Sequence, residues 1–96
     1  MIVFNTIVEW QAFRRAEQQW QAGFVPTLGG LHAGHGSLVA RSIKQNPQTV
    51  VSLFLNPTQF DQAEDLDHYP AERERDLEQL QAWGVDYVLA PEAGDL

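Results

Sequence analysis

The chain contains no cysteine, a single methionine and a single lysine, Lys44. Without cysteine there is neither a disulfide framework nor thiolate chemistry, which fits a cytoplasmic location. No apolar stretch approaches the roughly eighteen residues that a membrane span needs. The amino terminus lacks the basic region of a signal peptide, and Asn5 and Glu9 interrupt its apolar run. A soluble chain with no membrane partner is therefore expected. Basic residues are scarce: six Lys and Arg stand against thirteen Asp and Glu, a formal charge of −7. That balance argues against a protein that wraps a nucleic-acid backbone. It leaves room for a single nucleotide, because local geometry and Mg²⁺ override net charge.

What is present suits one modest domain. Ninety-six residues with 44% hydrophobic and 20% charged content match a soluble globular unit. Met1 to Phe4 reads as a short opening strand. Thr6 and Glu9 form a capping-box pattern for a helix carrying Trp10, Phe13, Glu17 and Trp20, with Gly23 as its stop. The tryptophans read as core or interface anchors. Ala22 to Thr27 is a second strand. A helix then runs from about Gly34 to about Gln45 with Leu38, Val39 and Ile43 inward, ending at the Asn46-Pro47 turn. Thr49 to Leu55 is apolar on both faces, as a central parallel strand should be. Asp61 to Pro70 is an acidic, solvated loop. Pro70 suits the first turn of a helix with Leu77 and Leu80 inward and Gly84 as stop, and Val85 to Ala90 is a last strand. This alternation predicts an α/β fold: a Rossmann-like parallel sheet with flanking helices. A complete version of that fold would continue beyond this chain.

The chemistry concentrates between Phe24 and Leu38. His32 and His35 sit among Gly29, Gly30, Gly34 and Gly36 at a strand-to-helix junction. Glycines let backbone approach a ligand closely. The following helix offers free N–H groups and a positive dipole end to an anion. Two imidazoles add donors for charge that develops on phosphate oxygens. Zinc is the weaker reading, since His-x-x-His supplies two ligands and His68 lies far away in a polar segment. Asn56-Pro57-Thr58-Gln59-Phe60 follows the central strand at the same sheet edge, so two polar loops should converge on one cleft. Asn56 is suited to bracing the loop and Gln59 to meeting a small polar substrate. Asp76 and Gln79 are spaced i,i+3 on the later helix, where they would share a hydrated Mg²⁺ or simply form a solvated face.

Pro26-Thr27-Leu28-Gly29-Gly30-Leu31-His32-Ala33-Gly34-His35, with Leu55-Asn56-Pro57-Thr58-Gln59-Phe60-Asp61, closely resembles the amino-terminal domain of the pantothenate synthetase (pantoate–β-alanine ligase) family. Asp65-Leu66, Tyr69-Pro70 and Asp86-Tyr87-Val88-Leu89-Ala90-Pro91 extend the resemblance over essentially the whole chain. His-x-Gly-His alone points only to the wider nucleotidylyltransferase superfamily; the Asn-Pro-x-Gln-Phe loop narrows it. The resemblance implies ATP- and Mg²⁺-dependent condensation of pantoate with β-alanine through pantoyl adenylate. It places ATP along Pro26 to His35, with His32 and His35 stabilising phosphate charge and His35 as proton donor. It gives Gln59, Asn56 and Tyr69 to the substrates and Asp76 with Gln79 to magnesium. Three positions depart from the family's habit: Leu28 replaces a usual Met, Ala71 a usual Arg, and Arg75 a common acidic residue. The resemblance further implies that residues 1–96 are a partial, truncated ATP- and pantoate-binding domain. The carboxyl-terminal domain and its cationic loops would be absent, the piece inactive alone, and the full-length family member a homodimer. Two other readings compete: a non-catalytic nucleotide-binding or dimerising remnant, and a small nucleotidylyltransferase. The latter would need basic residues around the glycine loop, and the neighbours of that loop are not basic.

Overall fold

A computed structural model of the chain describes residues 1–16, 21–54 and 69–91, with side chains of 69–71 excepted. Seven elements alternate: β1 (Ile2–Phe4), α1 (Ile7–Ala16), β2 (Ala22–Thr27), α2 (Ala33–Gln45), β3 (Gln48–Leu53), α3 (Tyr69–Trp83) and β4 (Tyr87–Leu89). The strands form one sheet in the order β1-β4-β3-β2, with every pairing parallel. The expected α/β parallel sheet is therefore present.

Local chemistry explains the element ends. Thr6 Oγ1 accepts the Glu9 N–H at 3.1 Å, which caps α1. Asn46, held extended by the proline after it, closes α2. Gly84 takes φ +89° after α3, and Val85 N–H bonds back to the Leu80 carbonyl at 3.2 Å. Glu17 and Trp20 lie outside the described residues. Gly23 does not stop a helix; it belongs to β2.

β3 lies between β2 and β4, and Thr49 to Leu53 are all buried. One face of the sheet carries the main core: Val25, Val51, Leu53, Val88 and Ala90 meet Val39 of α2 and Leu80 of α3. On the opposite face an aromatic cluster joins α1 to the sheet, with Phe4 5.4 Å from Trp10 and 5.0 Å from Phe13, and Phe13 4.9 Å from Tyr87. Trp10 and Trp83 are thus packing residues; Trp20 lies outside the described residues.

The inward stripe of α2 differs from expectation. Val39 is buried, but Leu38 and Ile43 are 52% and 41% exposed. The second inward residue is Ser42, whose hydroxyl meets Thr49 Oγ1 at 2.7 Å. Small residues occupy this contact because α2 lies tightly on β2. A Cβ at Gly23 would stand 2.0 Å from Ser42 Oγ and 2.5 Å from Asn46 Nδ2. Leu38 and Ile43, one position to either side of that stripe, are turned away from the sheet. Gly23→Ala should therefore lower stability by about 1–3 kcal/mol, overriding the usual gain from replacing glycine. Urea unfolding checks this, and an unchanged or raised midpoint would contradict the tight α2–β2 contact.

Candidate functional site

The carboxyl ends of β2 and β3 are level, since Thr27 pairs with Leu53 and the Phe54 N–H continues the ladder to the Thr27 carbonyl at 3.1 Å. The loop that follows β2 therefore emerges beside the end of the central strand, as ligand-binding loops of such sheets do. Thr27 fixes its start from below. Its buried hydroxyl donates to the Ser52 carbonyl at 2.9 Å and accepts from Gly29 N–H at 3.5 Å.

Gly29 and Gly30 then take φ of +89° and +63°, the left-handed region that a side chain resists. No atom lies within 4 Å of where a Cβ at Gly30 would sit, so backbone conformation rather than space demands glycine there. The turn directs two consecutive N–H groups toward α3. Gly30 donates to Asp76 Oδ2 and Leu31 to Asp76 Oδ1, each at 3.1 Å.

The two histidines cap α2 reciprocally. His32 is the N-cap, and its Nδ1 accepts the Gly34 N–H at 3.0 Å. His35, three residues on, accepts the His32 N–H on its own Nδ1 at 3.2 Å. This is a capping box built from imidazoles. A nitrogen that accepts a hydrogen bond carries no proton, so each neutral ring holds its proton on Nε2. The ring centroids are 4.1 Å apart. Gly34 makes this possible, because a Cβ there would lie 2.8 Å from His32 Cε1. Gly36 serves the helix below: a Cβ would lie 2.9 Å from Trp83 Cζ2 of α3.

A cavity of about 320 Å³ opens at this edge. Pro26, Thr27, Leu28, Gly29 and His35 line it, with Ser52 and Phe54 of the central strand's end. Its size is at the lower end of small-molecule sites. Five residues expected to meet a nucleotide thus face one space. His32 is exposed beside His35, whereas Gly30, Leu31, Ala33 and Gly34 are outside the lining. Asn56 and Gln59 lie outside the described residues, and Tyr69 is described only as the first residue of α3.

The backbone differs from the expected open cradle. The N–H groups of Gly30, Leu31, His32 and Gly34 all have partners within the chain. The donors left for a ligand are chiefly the imidazole Nε2–H groups. Ser52 and Phe54 join the cavity wall without having been expected there. A serine near the end of an otherwise apolar central strand is the signal that marks Ser52. Asp76 and Gln79 also differ from a ready metal pair, because both Asp76 oxygens are engaged by the loop and Gln79 is exposed. Among the described residues no three His, Asp or Glu side chains are grouped to hold a metal ion.

Comparison with known proteins agrees with this fold. The family model described as pantoate-beta-alanine ligase matches residues 2–96. A pantothenate synthetase from Helicobacter pylori is 45% identical over 96 residues, covering 100% of this chain and 34% of that protein. The pantoate--beta-alanine ligase of Saccharomyces cerevisiae is 45% identical over 98 residues, covering 97% of this chain and 32% of that protein. Among solved structures, the pantoate-beta-alanine ligase of Francisella tularensis, complexed with beta-gamma ATP and beta-alanine, superposes with a TM-score of 0.78 at 36% identity. That match covers 99% of this chain and 37% of the other. Pantothenate synthetase from Thermus thermophilus gives a TM-score of 0.75 at 43% identity, over 99% of this chain and 33% of that one. The chain spans about a third of the length of these relatives.

The histidine box carries a direct test. Long-range ¹H–¹⁵N spectra at a pH where the rings are neutral should show both His32 and His35 as Nε2–H tautomers. In Gly34→Ala the His32 ring should lose this preference, because the new methyl displaces it. An Nδ1–H signal for either ring in the unaltered chain would refute the box.

Proposed function

Since the chain belongs to the pantoate–β-alanine ligase family, we propose that it is the amino-terminal, nucleotide-binding part of an enzyme joining pantoate to β-alanine with cleavage of ATP. The observation that supports this most is the imidazole capping box, whose His35 lines a cavity on the carboxyl edge of the sheet with His32 exposed beside it.

In the proposed reaction a pantoate carboxylate oxygen attacks the α-phosphorus of ATP. The bond from that phosphorus to the bridging oxygen breaks, releasing pyrophosphate and leaving pantoyl adenylate. Negative charge grows on the phosphoryl oxygens as this happens. Fixed Nε2–H groups on His32 and His35 are suited to meeting it, because they need no reorganisation. His35, which lines the cavity, is the better placed of the two to donate a hydrogen bond to those oxygens. The amine of β-alanine then attacks the acyl carbon, loses a proton, and expels AMP. Asn56, Gln59 and Tyr69 are assigned to pantoate and β-alanine on family resemblance. Mg²⁺ that accompanies the nucleotide would be held chiefly by phosphate oxygens and water.

The same reading predicts little or no turnover by this chain alone. Among the described residues no Lys or Arg lines the cavity, and a triphosphate needs cations to neutralise it in phosphoryl transfer. Arg41 and Lys44 border a different hollow, toward the far end of α2. Incubation with ATP, Mg²⁺, pantoate and β-alanine should yield no AMP above background. Fusion to the remaining two thirds of the Helicobacter pylori relative should restore AMP formation that requires both acids. In that fusion His35→Ala should lower kcat by about 10²–10³-fold. Turnover by the unfused chain would overturn the inactivity, and an undiminished His35→Ala rate would overturn the role of His35.

A further inference from the structure

We infer that Asp76 is a positioning residue that grips the glycine loop from behind, rather than a ligand of the nucleotide's metal ion. Its two carboxylate oxygens take the consecutive N–H groups of Gly30 and Leu31, one each, at 3.1 Å. A turn with a left-handed residue, here Gly30 at φ +63°, lets consecutive N–H groups converge on one anion. The contact joins segments 45 and 46 residues apart in sequence, so it is a tertiary restraint on the loop.

Burial fixes the side from which Asp76 acts. The residue is 9% exposed and does not line the cavity, whereas Leu28, Gly29 and His35 do. The carboxylate therefore pulls on the back of the loop while the front faces the ligand space. Its own position is firm, because Leu80, one turn along α3, is fully buried and Leu77 packs against the same core. Gln79, the other half of the expected metal pair, is exposed. A carboxylate is required rather than an amide. Asparagine offers one acceptor oxygen, and its NH₂ would oppose a backbone donor.

This positioning role rests on the proposed ligase reading only for what the loop binds; the clamp itself does not. Amide hydrogen exchange on the ¹⁵N-labelled chain tests it. Gly30 and Leu31 should be protected in the unaltered chain. In Asp76→Asn one or both should exchange at least about tenfold faster, while Val51 and Val88 in the sheet stay protected. ATP affinity supplies the second readout, measured once with Mg²⁺ and once with EDTA. A positioning residue loses affinity by the same factor in both, whereas a metal ligand loses it only with Mg²⁺. Rapid exchange of both amides in the unaltered chain would overturn the inference. So would a folded Asp76→Asn chain that keeps both protected, or a loss confined to Mg²⁺. If the unaltered chain binds no ATP, the nucleotide-binding reading fails, and the exchange data still decide the clamp. If Asp76→Asn does not fold, protection in the unaltered chain decides it.

Discussion

The turn between β2 and α2 leaves a run of backbone N–H groups that must be bonded, and their partners dictate where the two imidazoles stand. Those of Gly30 and Leu31 are part-buried, where an unpaired donor costs up to about 1–3 kcal/mol, and those of His32 and Gly34 are exposed. Asp76 takes two of them, each a bond to a charged group of the kind that contributes about 1.5–3 kcal/mol. The histidines take two more. Each histidine is thus a structural cap through Nδ1 and, on the proposed reading, a donor to the nucleotide through Nε2. The two roles are not in competition, because the first fixes the tautomer that the second requires.

That arrangement depends in turn on how closely the helices approach the sheet. Gly23 lets α2 settle onto β2 with Ser42 against Thr49, and Gly36 lets Trp83 of α3 lie against α2. These contacts set the height of the α2 amino terminus above the ends of β2 and β3. They also hold α3 close enough for Asp76 to reach the loop. Glycines that a sequence reader assigns to ligand approach are here divided between two tasks. Gly29 and Gly30 supply left-handed backbone. Gly34 clears space for an imidazole and Gly36 for a tryptophan.

This division explains what could be read from the sequence. Features carried by local pattern were legible: the doubly apolar run from Thr49, the Thr6 cap, the Gly84 stop, and the glycine-histidine loop at a strand-to-helix junction. The family resemblance rested on that loop together with the run from Asn56 to Phe60, and the match over residues 2–96 bears it out. Features carried by tertiary contact were not legible. Helical periodicity counted Leu38 and Ile43 as inward because it rewards apolar residues, whereas the close α2–β2 contact selects small ones. Asp76 sits in the run Glu74-Arg75-Asp76-Leu77-Glu78, whose alternating charge reads as a solvated face. Only its distance to a loop more than forty residues away reveals its partners. The reciprocal cap was hidden for a related reason. His32 and His35 have the i,i+3 spacing of a capping box, but that pattern is normally sought with Ser or Thr and Glu.

The electrostatics follow from the same economy. The chain is strongly acidic, and among the described residues no Lys or Arg lines the cavity. Arg73 Nη2 bonds Asn5 Oδ1 at 2.9 Å and the Ala90 carbonyl at 3.0 Å, tying α3 to the ends of β1 and β4. Arg41 and Lys44 lie along α2 away from the loop. On the proposed reading, what the cavity offers an anion is therefore orientation, through the imidazole that lines it, more than neutralisation. Orientation and neutralisation are separable parts of phosphoryl transfer. Bound as proposed, a nucleotide would have its α-phosphate aligned by such a unit while its charge is neutralised by other groups. On the proposed reading, the glycine-histidine loop is then a positioning device, and the rigidity imposed by Asp76 and the capping box is its contribution to the chemistry.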